Sequence, residues 1–187
     1  MGSYLKLIGS FLIGGLILLN IYRFTAFFNE NSNEKFLDSI TAGAAAEIVK
    51  VIEFDFNRMG LGVYRQEETL LAAQSDSIAF CSDFDEDGVI ETITYFVSDS
   101  LQASDTENIS DKILYRHASG EPLVDGALGV TDFSIRYFDW FGNETADLKQ
   151  IKIFDIHLVV QSTSAYNNQF STVVWDGRIS PPNIRRY

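Results

Sequence analysis

Phe11-Leu12-Ile13-Gly14-Gly15-Leu16-Ile17-Leu18-Leu19 lies at the centre of a run, residues 3–28, whose only charged side chains are Lys6 and Arg23. A bilayer core about 30 Å thick needs about 20 apolar helical residues. The uncharged part, residues 7–22, is slightly short, but Lys6 and Arg23 can extend their head groups outward and close the gap. This stretch therefore reads as a membrane helix. Beyond it, Phe36, Ile40, Ala44, Ile48, Ile52, Phe56 and Met59 recur every three or four residues, the period of one helix face. Glu34, Asp38, Glu47, Lys50 and Asn57 fall on the other side. The polar link Asn29-Glu30-Asn31-Ser32-Asn33 cannot sit in lipid, and is either a solvated stretch of one helix or a break between two. An unbroken helix over residues 3–59 would extend about 85 Å.

The expected organisation has three parts. Residues 1–28 span a membrane, residues 29–60 continue as an amphipathic helix, and residues 61–187 form an antiparallel β domain with an extended tail. Gly60-Leu61-Gly62 ends the helix, because glycine accepts the left-handed cap conformation. A loop through Arg65-Gln66-Glu67-Glu68 and Leu70-Leu71 should follow. Strand-like runs then occupy residues 77–82, 89–97, 112–117, 131–140, 151–162 and 169–175. Between them come a polar loop at 98–110 and turns at Gly120-Glu121-Pro122, Gly142-Asn143 and Tyr166-Asn167-Asn168. Pro181-Pro182 and Arg185-Arg186 close the chain as an extended tail. A helix followed only by strands implies an α+β fold with the helix on one face of the sheet.

Composition narrows the partners. The net charge is −12, and residues 1–28 hold two cations and no acid, so the rest of the chain carries −14. Such a surface repels nucleic acid and anionic lipid. Cys81 is the single cysteine, which excludes an internal disulfide, and it is expected to pack as a small buried apolar residue. His117 and His157 lie in separate strands without metal-ligand spacing, and no nucleophile motif, phosphate loop or dinucleotide fingerprint is present. No enzyme activity and no small-molecule substrate are expected. The aromatic pairs Tyr137-Phe138 and Trp140-Phe141 read as core plus rim. The acid-rich domain favours an orientation with the N-terminus inside and the domain outside. In the anchor, Ser10 and Gly14, with Gly15 beside them, allow close approach of a neighbouring helix. Ala42-Gly43-Ala44-Ala45-Ala46 offers a second smooth surface.

One motif has metal-site spacing. Asp83, Asp85, Asp87 and Glu91 stand at positions 1, 3, 5 and 9 of a loop, with the Val89 carbonyl at position 7 and Gly88 at the sharp turn. Calcium takes six to eight oxygens, and this crowd of carboxylates would otherwise repel itself. Thr94 occupies position 12, where an EF-hand has Glu, and strands flank the loop, so a strand-loop-strand calcium site is the expectation. The bland alternative is an Asp-Gly hairpin turn with solvated acids.

Several segments together carry a resemblance. Residues 54–62 (Phe54-Asp55-Phe56-Asn57-Arg58-Met59-Gly60-Leu61-Gly62), the hairpin Asp83-Phe84-Asp85-Glu86-Asp87-Gly88-Val89-Ile90-Glu91-Thr92-Ile93-Thr94-Tyr95, then Ile113-Leu114-Tyr115-Arg116, Pro122-Leu123-Val124, residues 130–139 and Arg178-Ile179-Ser180-Pro181-Pro182-Asn183-Ile184-Arg185 follow one another in a recognisable order. In that order they resemble PilW-like minor type IV pilins and the J-type pseudopilins of type II secretion. The resemblance implies a type IV pilin-like fold, a structural role in a pilus or pseudopilus, other pilin subunits as partners, and an inner-membrane anchor. It also implies a leader glycine followed by Phe, and a Glu five residues into the mature helix. Here Gly2 is followed by Ser3-Tyr4-Leu5-Lys6-Leu7, and no acid precedes Glu30, so the apolar stretch is expected to be kept.

Overall fold

The computed structural model describes residues 2–64, 69–98, 106–119 and 126–184. A single helix, α1 (Gly2–Arg58), runs 57 residues without interruption. Residues 29–33 are therefore part of one helix and no break. The polar side chains of the apolar half return their hydrogen bonds to the helix itself: Ser10 Oγ donates to Leu7 O at 2.8 Å, Asn20 Nδ2 to Leu16 O at 2.9 Å and Thr25 Oγ1 to Ile21 O at 2.9 Å. A polar group satisfied in this way costs little in an apolar medium. Among the described residues this is the one helix long and apolar enough to cross a membrane.

Seven strands follow: β1 (Leu70–Ala73), β2 (Ser77–Ser82), β3 (Glu91–Val97), β4 (Lys112–Ala118), β5 (Ala127–Phe138), β6 (Ile153–Gln161) and β7 (Thr172–Ile179). They form one antiparallel sheet in the order of the chain, β1-β2-β3-β4-β5-β6-β7. The molecule is thus α+β, a long N-terminal helix on a seven-stranded meander. Alternation places Ile78 and Phe80, Ile93 and Tyr95, Phe133 and Ile135, and Phe154, Ile156 and Leu158 inside. The helix supplies Ala45, Ile52, Phe56 and Met59 to the same core. Phe56 is its hub, packing edge-on against Phe80 and Phe154 and tilted against Tyr95.

The structure corrects several boundaries. Leu70-Leu71 belongs to edge strand β1, where a loop was expected, while residues 65–68 lie outside those described. Strand β3 begins at Glu91, two residues later than its apolar run suggested. Strand β5 stops at Phe138, because Asp139 Oδ1 accepts the amides of Phe141 and Asn143, each at 2.8 Å, and turns the chain. Strand β7 is shifted to Thr172–Ile179. Asn167 and Asn168 are in the left-handed region and Ser162 holds Ser171, so the turn consumes residues that had read as strand. The expected turn at residues 120–122, most of the 98–110 loop, and Arg185-Arg186 fall outside the described residues.

The buried stripe of α1 is also rotated. Thr41, Ala45, Ile52, Asp55, Phe56 and Met59 are buried, whereas Phe36 and Ile40 are 65% and 53% exposed. The sheet reaches only the C-terminal half of the helix. Among the described residues before Thr41, Leu37 is the one large apolar side chain that is half-buried, beside the β6–β7 connection, and those from Tyr4 to Phe28 are exposed.

Gly60 (φ 78°) and Gly62 (φ 73°) take the left-handed conformation at the end of α1. A Cβ on Gly62 would lie 2.7 Å from Cβ of Asp83, so this close approach requires glycine. The orphan groups of the helix end are taken up by strand β2 and the tail. Ser82 Oγ donates to Arg58 O (2.8 Å), the Gly60 amide to Cys81 O (3.0 Å) and Asn183 Nδ2 to Met59 O (3.4 Å).

Candidate metal loop and the charge cluster beneath it

The β2–β3 connection is the hairpin the acidic motif implied, with Ser82 opposite Glu91. Its tip turns on Glu86 (φ 61°) and Gly88 (φ 89°). The acids fold the loop with their own side chains. Asp83 Oδ2 accepts the Gly88 amide (3.1 Å), Asp85 Oδ1 the Asp87 amide (3.2 Å), Asp87 Oδ1 the Val89 amide (2.7 Å) and Glu91 Oε2 the Phe84 amide (2.9 Å).

Of the five expected ligands, the loop gathers three carboxylates: one oxygen each of Asp83, Asp85 and Glu91 lie within 4.8 Å of one another. That is about twice a Ca–O distance of about 2.4 Å, so one cation can touch all three. Asp83 Oδ1 is buried without a hydrogen-bond partner. Asp87 is exposed and outside this group, and Val89 is exposed at the tip. Two like charges about 4 Å apart repel by about 1 kcal/mol in water and about 4 kcal/mol at an effective dielectric constant near 20.

The loop is fastened to the end of α1. Arg58 Nη1 donates to Phe84 O (2.7 Å) while Nη2 approaches Glu86 at 3.3 Å. The same guanidinium lies 4.6 Å over the Phe54 ring, and Phe54 meets Phe84 edge-on at 5.4 Å. Arg116 also stands over the Phe84 ring, 4.8 Å from its centre.

Arg116 belongs to the cluster that the sequence left unread. Asp55 of α1 is fully buried, and its carboxylate accepts Arg116 Nε at 2.6 Å and Nη2 at 3.2 Å, a two-pronged ion pair from helix to strand β4. Tyr95 of strand β3 donates its hydroxyl to the same carboxylate. Burial, then the neighbouring carboxylate, pushes the Tyr95 phenol far above its ordinary value. Burial opposes the Arg116 charge, but the bonds to Asp55 outweigh it and its pKa is raised. The cluster ties strands β3 and β4 to the helix. A signal for it exists in the sequence: Asp55 falls on the stripe of Ile48, Ile52, Phe56 and Met59, and an acid on a buried stripe needs a cationic partner.

Cys81 is half-buried, not fully so, with its Sγ 3.8 Å from Thr92 Oγ1. His157 faces Asp176 at 2.6 Å on the exposed side of the sheet. Tyr137 is buried while Trp140 and Phe141 are exposed, as core plus rim requires. Around Gly14 and Gly15 nothing among the described residues lies within 4 Å of where a Cβ would stand. No family profile, curated protein or solved structure matches the chain.

Proposed function

We propose that this chain is a membrane-anchored structural subunit, of the kind that PilW-like minor type IV pilins and J-type pseudopilins represent, and not an enzyme. The observation that carries this reading is the helix. Its apolar half is uncovered from Tyr4 to Phe28, yet continues without a break into the half that holds the sheet. An apolar surface of that length must be covered by lipid, by other helices, or by each in turn. The small residues Ser10, Gly14 and Gly15 give a neighbouring subunit's helix room to approach. The helix lies in the inner membrane with the acidic domain outside, where it can enter a surface filament or pseudopilus.

A photoreactive side chain placed at Gly14 in native membranes tests this. Adducts with second copies, or with other chains built of an N-terminal apolar helix and a sheet, are the expected result. Adducts with lipid alone would overturn the assembly reading and leave a membrane protein that does not polymerise. A second role follows from the acidic loop: Asp83, Asp85 and Glu91, joined by Asp87 and the Val89 carbonyl, would take calcium. What supports it is the convergence of three carboxylates and the unpartnered Asp83 Oδ1.

A further inference from the structure

The β6–β7 connection, residues 162–171, reaches down α1 well below the sheet. Asn167 Nδ2 donates to Glu30 Oε1 at 3.0 Å, and Ser171 Oγ to Asp38 Oδ1 at 2.7 Å. Glu30 stands two residues beyond Phe28, the last residue of the apolar run. At the helical rise that is about 3 Å along the axis. A bilayer about 40–45 Å thick overall has a headgroup layer of about 5–8 Å beyond each face of its 30 Å core. Tilting the helix by about 20° displaces a group about 10 Å off its axis by only about 3 Å. With Phe28 at the hydrocarbon edge, the turn Tyr166–Gln169 lies at the level of the headgroups.

The chemistry of this end fits that position. Tyr166 and Phe170 flank Asn167 and Asn168, so partly buried aromatics stand beside exposed amides, the mixture found at membrane interfaces. A second turn is fastened to the same connection: the Glu107 amide bonds Thr163 O, Asn108 Nδ2 bonds Gln161, and Glu107 accepts the Ala165 amide. At its tip Ile109 is 93% exposed. Glu30, Glu34, Asp38 and Glu107 make the neighbourhood acidic, with Lys35 the nearby cation in sequence. Phosphatidylserine and other anionic lipids are disfavoured there, and zwitterionic headgroups are not.

Resting on the anchor reading above, we infer that the β6–β7 turn, with the turn bearing Ile109, is a lipid-contacting surface that seats the domain on the zwitterionic headgroup layer around its own helix. The test uses the full-length chain carrying Cys81→Ser, reconstituted in phosphatidylcholine vesicles. Single cysteines replace Gln169, Ile109, Leu16 or Phe141, each labelled with an environment-sensitive dye. Spin-labelled lipids quench from the headgroup or from deep in the acyl chains, and iodide quenches from water. The expected result is headgroup quenching at residues 169 and 109 severalfold above that at 141, with deep quenching at 16. Deep quenching at 16 with residues 169 and 109 open to iodide and untouched by the headgroup quencher overturns the seating while the anchor stands. Protection of 169 and 109 from both quenchers also overturns it, in favour of a protein neighbour. Loss of deep quenching at 16 overturns the anchor reading itself.

Discussion

Asp55 shows how one side chain ties three elements together. It is a charge on the buried face of a helix, and it is tolerable only because Arg116 and Tyr95 complete its hydrogen bonds. Asp55→Ala strands the Arg116 guanidinium and should cost about 3–5 kcal/mol in denaturant unfolding of the detergent-solubilised chain. Tyr95→Phe leaves one carboxylate bond unmade and should cost about 1–3 kcal/mol. If the paired change Asp55→Leu with Arg116→Met costs as much as Asp55→Ala, the loss is one of packing and not of charge. Asp111 is the opposite case: it is buried with no cationic partner among the described residues, and burial raises its pKa against a smaller lowering by the Thr106 side chain. A carboxyl whose pKa is raised on folding binds more protons in the folded state, so its contribution to stability improves as pH falls through the folded value. Asp111→Asn should therefore raise the melting temperature at neutral pH, and the gain should shrink on acidification. A gain that does not change with pH would refute the electrostatic account.

At the scale of elements, the acidic hairpin is the part most open to measurement. Binding to the folded state alone stabilises it by about 2.7 kcal/mol at a hundredfold excess over Kd. Sites of this kind in extracellular modules often bind at about 10⁻⁴–10⁻³ M, so millimolar calcium is required. Melting with calcium, magnesium and chelator should show a rise specific to calcium, which Asp85→Ala abolishes. Equal melting in all three would leave a hairpin turn with solvated acids. This hairpin was legible because its acids, glycine and flanking alternation are all local in sequence. Strand β1 was not: Leu70-Leu71-Ala72-Ala73 lacks alternation, is four residues long, and pairs through an irregular register with strand β2. The Asp55 cluster was unread for a related reason, since its partners lie 40 and 61 residues away. The buried stripe of α1 runs one residue on from Phe36 and Ile40, at Leu37 and Thr41, because a threonine whose hydroxyl bonds Leu37 O can take a buried position that an apolar pattern does not mark.

At the scale of the whole molecule, α1 holds two environments about 40 Å apart along its axis. Its middle, at Glu30 to Asp38, is clasped by the β6–β7 connection, while its end at Arg58 and Met59 meets the acidic loop and the tail. A cation bound at the loop would therefore act at the C-terminal end of the helix, away from its apolar half. The meander also has a consequence in time. Each strand pairs only with the strand before and after it in the chain, so hairpins can close one by one as the polypeptide emerges from a pore, without long loop closures. The bonds back to the helix are different: Asn167 to Glu30, Ser171 to Asp38 and Asn183 to Met59 join residues 137, 133 and 124 apart, and of these Asn183 alone lies beyond the last strand, so its bond forms after the strands. Asn183→Ala should accordingly hasten unfolding and leave the refolding rate unchanged in stopped-flow measurements, and slowed refolding would refute this order of events. A nascent domain of this kind would zip up from the helix outward and be locked last, by the residue that reaches back to where the zipper began.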